Sequence, residues 1–355
     1  MPLEDFIIYV YCCVVENYEE LTKERPLRKC GYRPKLSDSE VITMEIVGEF
    51  MGKDQDKSMW QYFQSHWKPW FPNLGSRSNF AKQCANLWKI KEQIARRLIE
   101  QMGADKSSVH SIDGFPIPVC KRTRAGRSRC FKNEAGYSYC AAKEEKYYGF
   151  KGHLVISSNG IITNFAFANA SVDERDVADE LTQGIIGVLL GDKGYIRPYL
   201  YKKLLKRRLV LQTPLRKNMT DSRCKKFVGL LMRIRRRIET VIGQLTERFH
   251  IQKVRARDSW HLCNRLNRKI LAHLVCSFIN TRLSRPVIQF DGLVQISFLK
   301  VEHHVLLLFF CRQRINPVAY KIRGNRPLIN TIPRPTIPPI SPLCSGCKIR
   351  TNKSP

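Results

Sequence analysis

The sequence predicts an α/β protein: an all-α N-terminal region, then a mixed five-stranded sheet flanked by helices. Three observations carry this. Residues 37–51 and 78–102 space their apolar side chains at steps of three and four. β-prone runs begin at residue 109, and two of them are joined by Ser158-Asn159-Gly160. From residue 171 onward, helical and strand patterns alternate. The chain has 355 residues, room for two or three domains and a large core. It is 43% hydrophobic and 26% charged, which excludes wholesale disorder. No run of about 18 uncharged apolar residues is present, so a membrane-spanning helix is not expected. Residues 6–15 are apolar, but Glu4 and Asp5 precede them, the reverse of a secretory signal.

In the N-terminal region, Ser37 and Glu40 form a capping box that opens a helix to about Met51, with Val41, Met44, Ile46 and Val47 on it. Phe80, Cys84, Leu87, Ile90, Ile94 and Leu98 mark a second helix over 78–102. Between the two lie Trp60, Tyr62, Phe63, Trp67, Trp70 and Phe71. They suit a small domain core better than base stacking, because residues 1–110 carry a net charge of only +1.

The middle region reads as strands over 109–119, 147–157 and 161–168, the last two forming a hairpin. A second capping box, Ser171 to Glu174, opens a helix to about Gln183. Residues 185–190 form a continuous apolar run, the mark of a strand buried on both faces. A basic helix over 199–208, a strand over 209–213 and a long helix over 223–250 follow. The long helix places Phe227, Leu231, Ile234, Ile238, Val241, Leu245 and Phe249 on one stripe.

The charge is the abnormal quantity. The chain has 61 Lys+Arg against 31 Asp+Glu, a net +30. Residues 111–280 hold +19 of it and 281–355 hold +10. Such a balance attracts polyanions, nucleic acid before a membrane surface. The charge step also sets a boundary near 105–110. The domains expected are 1–105, helical; 106–281, the sheet; and 282–355, a tail with nine of the 18 prolines and no periodicity. The 13 cysteines lack disulfide or zinc spacing, including the lone Cys344–Cys347 pair, and read as reduced cytosolic thiols.

Acids beside apolar strands stand out in so basic a chain. Asp113 lies within the first strand, Asp192 directly after the buried one, and Glu239 on the long helix at the border of its apolar stripe. Each has a bland alternative as a turn residue, a cap or a partner of Arg235 or Arg236. Together, three carboxylates in a partly dry place repel one another unless cations join them. Oxygen ligands suit Mg²⁺ or Mn²⁺, and two such ions activate a water or a 3′-hydroxyl against a phosphodiester. The acids from Asp173 to Glu180 read instead as the favoured first turns of a helix. His110 and His153 read as structural or phosphate-contacting.

At these residues the chain resembles the DDE transposases of bacterial insertion sequences. Ser-Ile-Asp113-Gly, Gly-Asp192-Lys-Gly-Tyr and Arg-Ile-Glu239-Thr-Val stand where that group has its two aspartates and glutamate. Residues 148–153, Tyr-Gly-Phe-Lys-Gly-His, resemble its second strand. Of its Tyr-Arg-Glu-Lys signature, Arg235 fits the Arg, but Met232 and Thr246 stand where the Tyr and Lys belong. The resemblance spans about residues 1–280. It implies an RNase H-like domain in which Asp113, Asp192 and Glu239 hold two Mg²⁺ or Mn²⁺ ions. It implies binding of the element's terminal inverted repeats, DNA nicking and transfer to target DNA by a homodimer in the bacterial cytoplasm, on the nucleoid. Phosphate contacts expected on this reading are Lys193, Arg235, Arg236 and His153, with Lys202, Lys203, Arg207 and Arg208 on the basic helix. The rivals are a catalytically inactive, transposase-derived DNA-binding protein and a general nuclease of the same fold. A membrane-surface protein leaves the strands and the acid order unexplained. Residues after about 282 are expected to be read-through or frameshifted sequence from a decayed element copy. An in-frame stop followed by the terminal repeat would exclude that origin.

Overall fold

The computed structural model describes residues 1–295, apart from Lys29, Tyr32, Ala141, Ala142, residues 216–218, Thr220 and Val254. The proline-rich stretch, residues 305–311 and the Cys344–Cys347 pair lie outside the described residues.

Five helices come first: α1 (Leu3–Thr22), α2 (Asp38–Phe50), α3 (Asp56–His66), α4 (Arg77–Asn86) and α5 (Trp88–Gln101). The Ser37 capping box forms in full, with the Ser37 N–H donating to Glu40 at 2.7 Å. The helix expected over 78–102 is broken at Leu87, which caps α4 and precedes α5. The aromatic run fills the core beneath these helices: Phe63, Trp67, Trp70 and Phe71 are all buried.

The sheet has six strands: β1 (Val109–Lys121), β2 (Gly136–Cys140), β3 (Glu145–Ser157), β4 (Ile162–Asn169), β5 (Gly187–Leu190) and β6 (Leu209–Gln212). A helical turn, α6 (Arg122–Ala125), follows β1. Five strands run in the order β4-β3-β1-β5-β6 and make the predicted mixed, RNase H-like sheet. β3 is antiparallel to β1 and β4, whereas β5 is parallel to β1 and β6. The sixth strand, β2, pairs with residues 145–149 of β3 and prolongs the edge that β4 begins. Gly160, at φ +87°, makes the β3–β4 turn as its Asn-Gly pair predicts.

Helix α7 (Glu174–Leu181) follows β4, and α8 (Pro198–Lys206) lies between β5 and β6. Asp173 is the N-cap of α7, accepting from the Arg175 N–H; the predicted cap, Ser171, bonds to Asn169 instead. Ile112, Val155, Leu189, Leu209 and Leu211 of the sheet pack with Ala178, Leu181, Leu200 and Leu204 of these helices. Helix α9 (Lys225–Glu247) packs on β1. Its predicted stripe is buried from Ile238 onward, but Phe227 is exposed.

Helix α10 (Ser259–Arg282) falls within the 106–281 range, yet packs mainly on α5 and α2. Charges seal this junction. Lys91 pairs with Glu45, Arg268 with Glu49 and Asp56, and Lys269 with Glu49, with Glu45, Glu49, Lys91, Arg268 and Lys269 fully buried. Beyond α10, residues 283–295 form turns and bends that stay packed on the fold. Phe290 and Leu293 are buried, Asn280 donates to the Val287 and Gln289 carbonyls, and the Met1 ammonium donates to the Leu293 carbonyl at 2.9 Å. No described helix is long and apolar enough to cross a membrane.

Candidate active site

Strand alternation turns Ile112 into the core and Asp113 to the opposite face of β1, where α9 crosses. The Asp113 carboxylate accepts the Gly114 N–H at 2.8 Å. Burial pushes its pKa up to about 6; the Gly114 N–H and Arg235 act against this, while Asp192 and Glu174 add to it. A carboxyl held so high inside a protein of net +30 is short of local positive charge.

Because β5 pairs in parallel with β1, with Ser111 opposite Leu190, the carboxyl end of β5 arrives level with Asp113. Asp192 stands there, capping the short turn Lys193–Tyr195. Glu239 faces it from α9. The Arg235 guanidinium lies 3.6 Å from Asp192 and 3.2 Å from Glu239. The carboxylates are half exposed, 51% and 53%, but Arg235 is only 16% exposed. One cation thus joins the second and third acids and acts on the first. Asp192, after the end of β5, and Glu239 share Arg235, while Asp113, inside β1, feels the charges of Arg235 and Asp192.

Among the described residues, no three His, Cys, Asp or Glu side chains stand close enough to hold an ion. Arg235 occupies the place between two of the predicted ligands. The donor set still fits the implied metal: three carboxylates, one of them with its pKa raised by burial, are hard oxygen ligands of the Mg²⁺ or Mn²⁺ kind.

The other expected contacts divide. Lys193 is exposed immediately beside Asp192, and Arg236 is exposed one residue after Arg235. His153 is the clear correction. It lies on β3 opposite Gly114, is fully buried, and neither ring nitrogen has a partner. Burial, then the Lys151 charge, lowers its pKa to about 3, so it is neutral and out of reach of a phosphate. Lys203 and Arg207 are held by Asp179 of α7 at 2.7 and 3.1 Å. Since α8 runs back from the carboxyl end of β5 toward the start of β6, Lys202, Lys203, Arg207 and Arg208 lead away from the acids.

Two groups near the site escaped sequence reasoning. Glu174 is bonded to Lys151 at 2.8 Å and contributes to the raised Asp113 pKa. Its position in an acidic first turn disguised it as a helix-end residue. Tyr195 is buried with no hydrogen-bond partner on its hydroxyl; burial, then the charges of Glu174, Asp113 and Asp192, raises its pKa. Its place in Gly-Asp-Lys-Gly-Tyr was the available signal.

Residues 103–259 match the family described as transposase DDE domain. The match covers less than half of the chain. It includes the whole sheet and all three acids and ends as α10 begins. No curated protein matches the chain. Among solved structures, the cryo-EM structure of a piggyBac transposase synaptic complex with hairpin DNA is similar over 83% of this chain and 84% of that one. The identity is 11% and the TM-score 0.41, too low to bear on the argument. Residues 103–259 are therefore similar to the transposase DDE domain.

Proposed function

We propose that this chain is the DDE transposase of a bacterial insertion sequence. It binds the terminal inverted repeats of its element, nicks the DNA in a metal-dependent step and joins the freed 3′-hydroxyl to target DNA. The observation that supports this is the pairing of Asp192 and Glu239 through Arg235, whose charge also acts on Asp113, within the matched domain.

Asp113, Asp192 and Glu239 would hold Mg²⁺ or Mn²⁺, two ions in the full reading. Such ions polarise phosphoryl oxygens and lower the pKa of a bound water. The chain's own side chains do the rest. Lys193 and Arg236, exposed on either side of the acids, hold the phosphates of the scissile strand. Arg235 fixes the carboxylate of Glu239 relative to Asp192 and is free to turn to a phosphate when another cation takes its place. The exposed bases of α9 track the backbone. The N-terminal helices recognise the element ends, pair two copies, or both, since two ends must be joined. The protein then works in the bacterial cytoplasm, on the nucleoid.

The test is a cleavage and strand-transfer assay on DNA carrying the element ends, with Mg²⁺ or Mn²⁺, for the full chain and Asp192→Asn. End-specific nicking lost in Asp192→Asn is the expected outcome. Binding to the ends without nicking by either protein identifies an inactive DNA-binding derivative. Nicking that ignores the ends identifies a general nuclease.

A further inference from the structure

Between β1 and β3 the chain carries a lobe that the five-strand scaffold does not require. Residues 121–133 contain Lys121, Arg122, Arg124, Arg127, Arg129 and Lys132 and no acid. All six are exposed. Over 121–146 the net charge is +5. β2 then presents Tyr137 and Tyr139 two residues apart, so both rings point to the same side of an edge strand. They are 53% and 54% exposed. The Arg122 guanidinium lies 6.0 Å from the Tyr137 ring centre, and the Tyr148 ring 5.2 Å from it. Tyr137 is thereby oriented from behind while its outer surface stays open.

The lobe borders a cleft of about 550 Å³, within the usual ~300–1,000 Å³ of sites for small ligands. Tyr137 and Ser138 form one wall. Lys151, Glu174 and Gly194 form the other, and Gly194 is two residues after Asp192. The Glu174 carboxylate lies at the inner end of the cleft. Its oxygens come within 3.5 Å of the place a Cβ would take at Gly114 and 3.8 Å of that at Gly194.

Open aromatic rings among bases fit a strand whose bases are not already stacked on one another. A duplex offers them only phosphates, because its base faces are covered. We propose that Tyr137 and Tyr139 are a stacking platform for unpaired DNA on the same domain as the acids. The proposal rests on the DNA-processing reading above and adds to it a preference for unpaired strand on this lobe.

The experiment measures binding of the full chain by fluorescence anisotropy. The probes are an oligothymidylate of roughly 20 nucleotides, longer than one stacking site requires, and a duplex of the same length. Tyr137→Ala/Tyr139→Ala is compared with Tyr137→Phe/Tyr139→Phe and with Tyr199→Ala, an exposed tyrosine on α8. The alanine pair is expected to weaken single-strand binding about 5- to 150-fold and to leave duplex binding within about two-fold. The phenylalanine pair should restore single-strand binding, and Tyr199→Ala should change neither. Unchanged single-strand binding in the alanine pair overturns the platform, as does an equal loss on both probes. If the wild-type chain binds neither probe, the DNA reading itself falls with it.

Discussion

Asp113 sits where its charge is least welcome, and that has a measurable sign. Its folded pKa, about 6, lies above the ordinary 3.8. Ionisation therefore works against the fold, not at all below the ordinary value and fully above about pH 6. Asp113→Asn removes that penalty. In metal-free buffer the variant should be more stable than wild type at pH 7–8 by on the order of 2–3 kcal/mol. The gain should vanish near pH 3.5, and equal stabilities at both pH values would contradict it. The same variant should lose nicking altogether, which separates a functional acid from a structural one. The positions of the three acids are legible because one lies in a strand, one follows a strand end and one sits on a helix wheel, all local patterns. Arg235 was read as a phosphate contact, since spacing reveals a partner four residues on but not Asp192 across the fold. His153 was misread for the same reason: only the sheet pairing shows that helices cover the face on which it lies.

At the scale of elements, the junction of α10 with the N-terminal helices depends on charges taken wholly out of water. Burial alone would lower the Arg268 pKa, but Glu49, Asp56 and Glu45 raise it and keep the guanidinium charged. Burial lowers Lys269 and raises Glu45. Removing one partner strands the others. Arg268→Met should cost about 3–5 kcal/mol in urea unfolding. Replacing Glu45 and Lys91 together with apolar residues should cost much less than either alone. If Arg268→Met proves neutral, the cluster is better hydrated than its zero exposure implies. Element identities were mostly readable, because caps, periodicity and the Asn-Gly turn act within a few residues. The sixth strand was not: Gly-Tyr-Ser-Tyr-Cys is short, and its pairing with β3 alone makes it a strand. The allegiance of α10 was not readable either. It is decided by Glu45, Glu49 and Lys91, each more than 170 residues away in sequence.

For the molecule as a whole, the decisive stretch is 283–295. Composition places an irregular tail from 282, and its first residues, though irregular, close the fold on itself. Arg285 donates to the Asp291 and Gly292 carbonyls, Gln244 donates to the Ile288 carbonyl, and Gln295 donates its N–H to the Met1 carbonyl at 2.8 Å. Phe290 stacks edge-on against His273 with ring centres 4.8 Å apart. His273 is itself fully buried and neutral, its pKa lowered by burial to about 3. The segment therefore covers the α9–α10 corner and ties the first residue of the chain to the end of α10. Burying one Phe and one Leu gives about 1.5–3 kcal/mol each, so a chain ended after Arg282 should be several kcal/mol less stable than one ended after Gln295. Phe290→Ala in the full chain should cost about 3–5 kcal/mol by the cavity it opens. Chemical denaturation of the three proteins tests this. If the two truncations unfold together, 283–295 is an ornament and the boundary at 282 returns. If they differ, the segment belongs to the folded protein, and any foreign sequence in this chain begins beyond it.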